Sequence, residues 1–367
     1  MGAAIYSGHM SSQPLSVIAS DEHRSHDPEW DVYSGTMVGR FEVPQRVDCI
    51  VQALQDDEGF AMVAPTSHGM QPILRVHNGD LVEFLSTAWK EYTTVLPDAQ
   101  AVIAEMFIHP GLVEAMPVGR VPATNAYGRL GWFCFDTSSP LSEGSWPAAL
   151  ASVDIALSGV DRVLAGERLV YSLCRPPGHH ATRSAFGGFC LLNNAAIAAQ
   201  ALIDSGVRRV TVLDVDAHHG NGTQQIFYQR GDVQFVSIHM DPDQNYPWFV
   251  GRSHERGEGA GAGANLNLPI PLGTTGDRFL TELAVGIDAV SAFDPEYVIL
   301  SLGVDPAAGD PTAGLCLSTT DFADVGRAIA AIDRPLLIVQ EGGYQLNRVG
   351  ADVRAVLDGL RRVAAGA

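Results

Sequence analysis

The apolar run Val210-Thr211-Val212-Leu213 leads straight into Asp214-Val215-Asp216-Ala217-His218-His219-Gly220-Asn221-Gly222. A short run of β-branched and apolar residues reads as a buried strand. While the chain stays extended, Asp214, Asp216 and His218 are spaced by two and project to the same side. Asp216 and His218 then offer one oxygen and one nitrogen donor, the ligand types that suit zinc or another divalent ion. Gly220 and Gly222 allow a sharp turn into a following helix. The competing reading is a polar strand end that caps that helix, which is what a lone Asp or His there would mean. Five such groups, Asp214, Asp216, His218, His219 and Asn221, favour a metal site, because ligands bind at the C-terminal edge of open α/β sheets.

Three more apolar runs end in the same manner. Leu169–Leu173 and Cys174 precede Arg175-Pro176-Pro177-Gly178-His179-His180; Val298–Leu302 precedes Gly303-Val304-Asp305; Leu336–Val339 and Gln340 precede Glu341-Gly342-Gly343-Tyr344. Helical periodicity fills the gaps between strands: Trp146–Leu164, Leu191–Ser205, Thr223–Tyr228, Asp277–Phe293, Asp321–Ile332 and Arg348–Ala365, with Pro44–Gln55 and Asp80–Tyr92 earlier. Strands are also expected at Ser16–Ser20 and Val233–Ile238. This alternation predicts an α/β fold with a parallel sheet covered on both faces, and all four polar clusters then share one sheet edge. Residues 1–14 read as a flexible N-terminal extension and 15–367 as a single domain. The stretch 97–127, broken by Pro97, Pro110, Pro117 and Pro122, reads as a long loop excursion over the active-site face.

Composition excludes several functions. With 46% hydrophobic residues the chain can build a sizeable core. No apolar run is long enough for a membrane span, and the first residues lack the basic start and apolar centre of a signal peptide, so a cytoplasmic protein is expected. The net charge is −19, from 42 acidic against 23 basic residues, which disfavours nucleic acid as a partner and would draw cationic substrates. Cys49, Cys134, Cys174, Cys190 and Cys316 show no CxxC spacing and are expected as buried thiols.

The segments RPPGHH, GGFC, LDVDAHHGNGTQ, SLGVD and EGGY together resemble the signatures of the zinc-dependent deacetylases, the family of histone deacetylases and acetylpolyamine amidohydrolases. FYQRGDV and CLLNNAAIAAQ are most similar to the acetylpolyamine branch. The resemblance implies a three-layer, arginase-like fold with a central, mainly parallel sheet. It implies Asp216, His218 and Asp305 as ligands of a catalytic Zn2+, with Fe2+ the alternative native metal. Arginases need a further carboxylate where Gly220 stands, which argues for one metal here. By the same resemblance His180 is general base and acid, His179 its electrostatic partner, and Asp214 and Asn221 orient the two rings. Tyr344 donates to the oxyanion; Gly188, Phe189 and Tyr246 line a narrow substrate channel. A structural K+ is implied at Asp214, main-chain carbonyls near Asp216 and His218, and the Ser237 hydroxyl. Tyr127 stands where the polyamine branch places an acidic residue, and a ring face there would meet a cation without supplying charge. The expected substrate is a small acetylated amine, an acetylpolyamine above all, and the alternative is an acetyl-lysine peptide or protein. A catalytically inactive binding module is disfavoured by the intact residue set. The 97–127 excursion is expected to pair two subunits into a homodimer and narrow the entrance.

Overall fold

The computed structural model describes residues 13–33, 35–113 and 125–364. The expected N-terminal extension therefore lies, up to residue 12, outside the described residues. The strands in chain order are β1 (Leu15–Ile18), a hairpin of β2 (Asp31–Tyr33) and β3 (Thr36–Val38), β4 (Phe60–Val63), β5 (Leu169–Ser172), β6 (Val210–Asp214), β7 (Val233–Met240), β8 (Asn265–Ile270), β9 (Tyr297–Leu302) and β10 (Leu336–Gln340). All but the hairpin form one eight-stranded parallel sheet in the order β4-β1-β5-β10-β9-β6-β7-β8.

The central strands are buried on both faces, which is why they read as unbroken apolar runs. Side-chain alternation splits them between two cores. Val170, Val212, Ile299 and Leu337 face one core with the helices Gly79–Val95, Ser145–Leu164 and Asn194–Asp204. Tyr171, Leu213, Leu300 and Ile338 face the other, with Gln45–Leu54, Gly276–Phe293, Thr319–Ala330 and Val349–Ala364. The result is the expected helix–sheet–helix arrangement. Each fully buried Leu or Ile contributes about 1.5–3 kcal/mol.

The differences from expectation have local causes. The helix expected from Leu191 starts at Asn194, because the Asn193 side chain accepts from the Ala196 N–H at 2.9 Å and caps it. Two sheet strands were not expected. The edge strand β8 carries Asn265, Asn267 and Pro269, and the edge strand β4 is half-buried, so neither shows the apolar run of a central strand. The excursion 97–127 holds more structure than a loop. Val102 bridges Leu141 through two backbone hydrogen bonds, a short turn of helix spans Pro110–Val113, and the helix Ala126–Phe133 begins inside it, capped by Asn125. Cys134, Cys174 and Cys190 are buried thiols, whereas Cys49, on the helix Gln45–Leu54, is half-buried and Cys316 is exposed. Among the described residues no helix is long and apolar enough to cross a membrane.

In sheet order β5, β10, β9 and β6 are neighbours. Their C-terminal ends therefore carry His179 and His180, Tyr344, Asp305, and the Asp214–His218 run to one place.

Candidate active site

The floor of the site is built from β6 and β9. Asp216, His218 and Asp305 are all buried, and their donor atoms lie within 4.8 Å of one another. His218 Nδ1 stands 2.9 Å from Asp305 Oδ2 and 3.2 Å from Asp216 Oδ1. Its Nε2 stands 3.1 Å from the Thr312 carbonyl, which can only accept, so Nε2 carries a proton and Nδ1 is the atom that faces the carboxylates. Burial opposes charge on the ring, but these carboxylates outweigh it and hold its pKa well above the ordinary histidine value. Backbone N–H groups fix both carboxylates: Ala217 donates to Asp305 at 2.8 Å, and His218 and Gly342 donate to the two oxygens of Asp216 at 2.9 and 2.8 Å. Burial and the neighbouring Asp216 carboxylate push Asp305 up to about 7. Two buried carboxylates converging with one imidazole nitrogen are a donor set that a single divalent cation fits. Gly220 leaves no room for a further ligand there, since a Cβ would lie 2.3 Å from Asp214 Oδ2. Its φ is −72°, so glycine is needed for this close approach rather than for the turn that its sequence position indicates.

Two histidines from the segment after β5 stand beside that floor, their ring centroids 4.0 Å apart. His179 Nδ1 lies 2.9 Å from Asp214 Oδ2, and His180 Nδ1 lies 2.6 Å from Asn221 Oδ1. Burial opposes charge on His179, but the Asp214 and Asp216 carboxylates outweigh it and raise its pKa to about 10. Burial, then the charges of His179 and His218, hold His180 well below the ordinary histidine value. A carboxylate partner and an amide partner thus separate two adjacent imidazoles into a cation and a neutral base.

Tyr344 follows β10, 8% exposed, with its ring centroid 5.4 Å from that of Phe189. Burial raises its hydroxyl well above the ordinary tyrosine value, so it remains a donor. Its loop is held by residues that local sequence patterns do not mark. Arg46 donates to the carbonyls of Gly343 and Glu341, both at 2.6 Å, and its guanidinium lies 4.5 Å from the Tyr344 ring centroid. Glu42 bridges Arg46 and Arg175 at 2.7 and 2.8 Å. Asp310 accepts from the Tyr344 N–H at 2.7 Å and from the Thr312 N–H at 3.0 Å, linking this loop to the carbonyl that orients His218. The Glu341 carboxylate accepts from the N–H groups of Gly178 and His179 at 2.7 and 3.1 Å. Of Arg46, Glu42 and Arg175, only Arg175 carries a sequence signal, as the first residue of the RPPGHH cluster.

The walls come from two loops. Gly188 and Phe189 both have left-handed backbones, with φ of 59° and 65°. A Cβ on Gly188 would lie 2.3 Å from His180 and 2.9 Å from the Tyr246 hydroxyl, so the wall touches the histidine pair. The Tyr246 ring meets His180 edge-on, with centroids 4.9 Å apart.

Tyr127 and His219, both singled out by sequence, lie away from these groups, whereas Ser237 lies beside Asp214. Tyr127 is 41% exposed, packs on Tyr92 at 5.6 Å and hydrogen-bonds Glu105, rather than joining the residues above. Glu105 thus supplies a carboxylate beside the position where Tyr127 itself has none. Ser237 pairs with Asp214 in strand register, and its hydroxyl bonds His239 Nδ1 at 2.8 Å. His219 turns away from the site: its Nε2 lies 3.1 Å from Gln224 and 3.2 Å from Asn267.

Comparison with known proteins agrees with this architecture. Residues 40–360 match the histone deacetylase domain. The chain is 40% identical to an acetylpolyamine amidohydrolase of Mycoplana ramosa, over 94% of this chain and 99% of that one. It is 39% identical to acetylpolyamine amidohydrolase 1 of Pseudomonas aeruginosa, over 95% and 99%. The crystal structure of an acetylpolyamine aminohydrolase from Burkholderia pseudomallei superposes with a TM-score of 0.89 at 36% identity, covering 94% of this chain and 98% of that one. With the fold, the strand-end site and a domain match across most of the sequence in agreement, the chain belongs to the histone deacetylase family of hydrolases.

Proposed function

We propose that this protein removes acetyl groups from small acetylated alkylamines, acetylpolyamines first among them, by metal-dependent amide hydrolysis. The observation that carries the reading is the buried Asp216–His218–Asp305 set with a neutral His180 and a protonated Tyr344 beside it. The donor set of two oxygens and one nitrogen suits zinc, which supplies Lewis acidity toward the amide carbonyl and the attacking water. Asn221 Oδ1 accepts from His180 Nδ1, so Nε2 keeps its lone pair and takes the proton of the water. The same nitrogen then returns a proton to the leaving amine. His179, paired with Asp214, places a positive charge next to the carbon under attack. Tyr344 donates to the carbonyl oxygen as it becomes negative, positioned by Arg46 and Asp310.

The substrate assignment rests on the crowding of Gly188, Phe189 and Tyr246 about the site, the net charge of −19, and relatives named as acetylpolyamine amidohydrolases. A potassium ion at Asp214 and Ser237 belongs to the same reading, supported by their register pairing. So does a homodimer, supported by Met106 and Ile108, which are 62% and 42% exposed on the 97–127 excursion. Rates on acetylputrescine, acetylspermidine and an acetyl-lysine peptide, measured side by side with zinc-loaded enzyme, test the assignment. The polyamines should be the better substrates by kcat/KM; a preference for the peptide would move the protein to the lysine deacetylases.

A further inference from the structure

The segment after the helix Ala126–Phe133 runs alongside the channel wall. Phe135 N–H donates to the Phe186 carbonyl at 3.1 Å, and Phe186 N–H to the Phe133 carbonyl at 2.7 Å. From this segment the Asp136 side chain reaches both walls. One oxygen, Oδ2, accepts from the Tyr246 hydroxyl at 2.8 Å and from the Gly188 N–H at 2.6 Å. The other, Oδ1, accepts from the Ser138 N–H at 3.1 Å, which fixes the carboxylate plane. Ser139 Oγ completes the strip by accepting from the Phe189 N–H at 2.9 Å. A single carboxylate oxygen therefore joins two loops, one carrying Gly188 and Phe189 and the other Tyr246, both of which touch His180.

We infer that Asp136 is a positioning residue for the deacetylation: it clamps Tyr246 edge-on against His180 and sets the gap between the two channel walls. Tyr246 lies on a loop whose neighbours Trp248 and Phe249 are 49% and 87% exposed, so outward packing does not hold the ring. Its hydroxyl is held by Asp136 at one end, and the loop is tied by Glu255, which accepts from the Gly251 N–H at 3.0 Å and from Asn267 at 3.2 Å. Without the clamp the ring swings, the gap widens, and a slender acetylated amine is no longer centred on His180.

This inference rests on the deacetylase reading, and a mutant cycle separates the two. The kcat and KM of wild type, Asp136→Ala, Asp136→Asn, Tyr246→Phe and the Asp136→Ala/Tyr246→Phe double variant are measured on acetylputrescine and on a small acetyl-lysine amide, with zinc content and melting temperature alongside. Asp136→Ala and Tyr246→Phe should each lower kcat/KM by about tenfold to a hundredfold, the scale of a misplaced reacting group, with zinc content unchanged. The double variant should be no worse than Asp136→Ala, because the bond of the Tyr246 hydroxyl is already lost in that variant. Asp136→Asn should lose less than Asp136→Ala, since its carbonyl oxygen can still accept from Tyr246 and Gly188 although its NH2 then meets the Ser138 N–H. Multiplicative losses in the double variant, or a wild-type rate in Tyr246→Phe, overturn the clamp. Should Asp136→Ala fail to fold, Asp136→Asn and Tyr246→Phe decide: an impaired Asn variant beside an unimpaired Phe variant overturns it. A wild type inactive on both substrates overturns the deacetylase reading itself.

Discussion

The floor and the walls of this site are built on different principles. The floor is charged, buried and rigid: Asp216, His218 and Asp305 hang from the ends of β6 and β9, and backbone N–H groups fix the carboxylates. The walls are loops, Gly188–Phe189 and the Tyr246 segment, joined to each other through the side chain of Asp136. In the floor, binding atoms are positioned by the sheet and its backbone N–H groups. In the walls, position depends on a few side-chain bonds. Chemistry should therefore be lost in one step by damage to the floor, and degraded in stages by damage to the walls.

The largest effect expected is at the floor. Asp305→Ala removes one of the two carboxylates proposed to hold the metal without opening the core, so the protein should fold, lose zinc and fall to background activity. Full metal occupancy of that variant by elemental analysis would take Asp305 out of the ligand set. Tyr344→Phe comes next, on the boundary between floor and wall. It should retain zinc and KM but lose roughly a hundredfold to a thousandfold in kcat, the equivalent of about 2.7–4 kcal/mol for one oxyanion donor. A loss under about tenfold, well below that range, would give Tyr344 a packing role.

The wall has a pH-sensitive support. His77 is buried behind it, with Nδ1 donating to the Thr182 carbonyl at 2.8 Å and Nε2 accepting from the Asn193 N–H at 2.9 Å. The bond accepted from Asn193 requires the neutral ring, and burial lowers its pKa to about 4 from 6.5. Because the folded state resists this proton, its contribution is complete above the unfolded value and is lost as pH falls from about 6.5 toward 4, up to about 3 kcal/mol. Chemical denaturation of wild type and His77→Asn across that window should show a shallower pH slope in the variant; equal slopes would assign the acid sensitivity to other groups. The smallest effect is expected outside both regions. Met106→Glu with Ile108→Glu should convert a dimer into a monomer by light scattering while leaving zinc content unchanged. A wild type that is already monomeric would end the dimer proposal.

The same contrast explains what could be read in the sequence. Asp214, Asp216 and His218 are legible because an extended chain turns period two into a common face. Asp305 and Tyr344 are legible because parallel strands deliver their ends to one edge. Asp136 is not, because its partners Gly188 and Tyr246 lie 52 and 110 positions away. Arg46 reaches Gly343 across 297 positions, and no periodicity encodes such a bond. Edge strands β4 and β8 escaped notice for the converse reason: half-exposed strands bearing Asn and Pro lack the continuous apolar run that marks β6, β9 and β10. Tyr127 shows the limit of transfer by motif position, since its hydroxyl is engaged by Glu105 from a segment with no pattern of its own.

The central claim, that the Asp216–His218–Asp305 floor carries the chemistry with one metal ion, is tested most directly by titration. Chelator-stripped wild-type protein is titrated with zinc while acetylputrescine hydrolysis is followed. Activity should rise from background and level off at one equivalent, with no rise for Asp305→Ala under the same conditions. Hydrolysis by the stripped protein at the full rate, or a plateau only at two equivalents, would contradict the account.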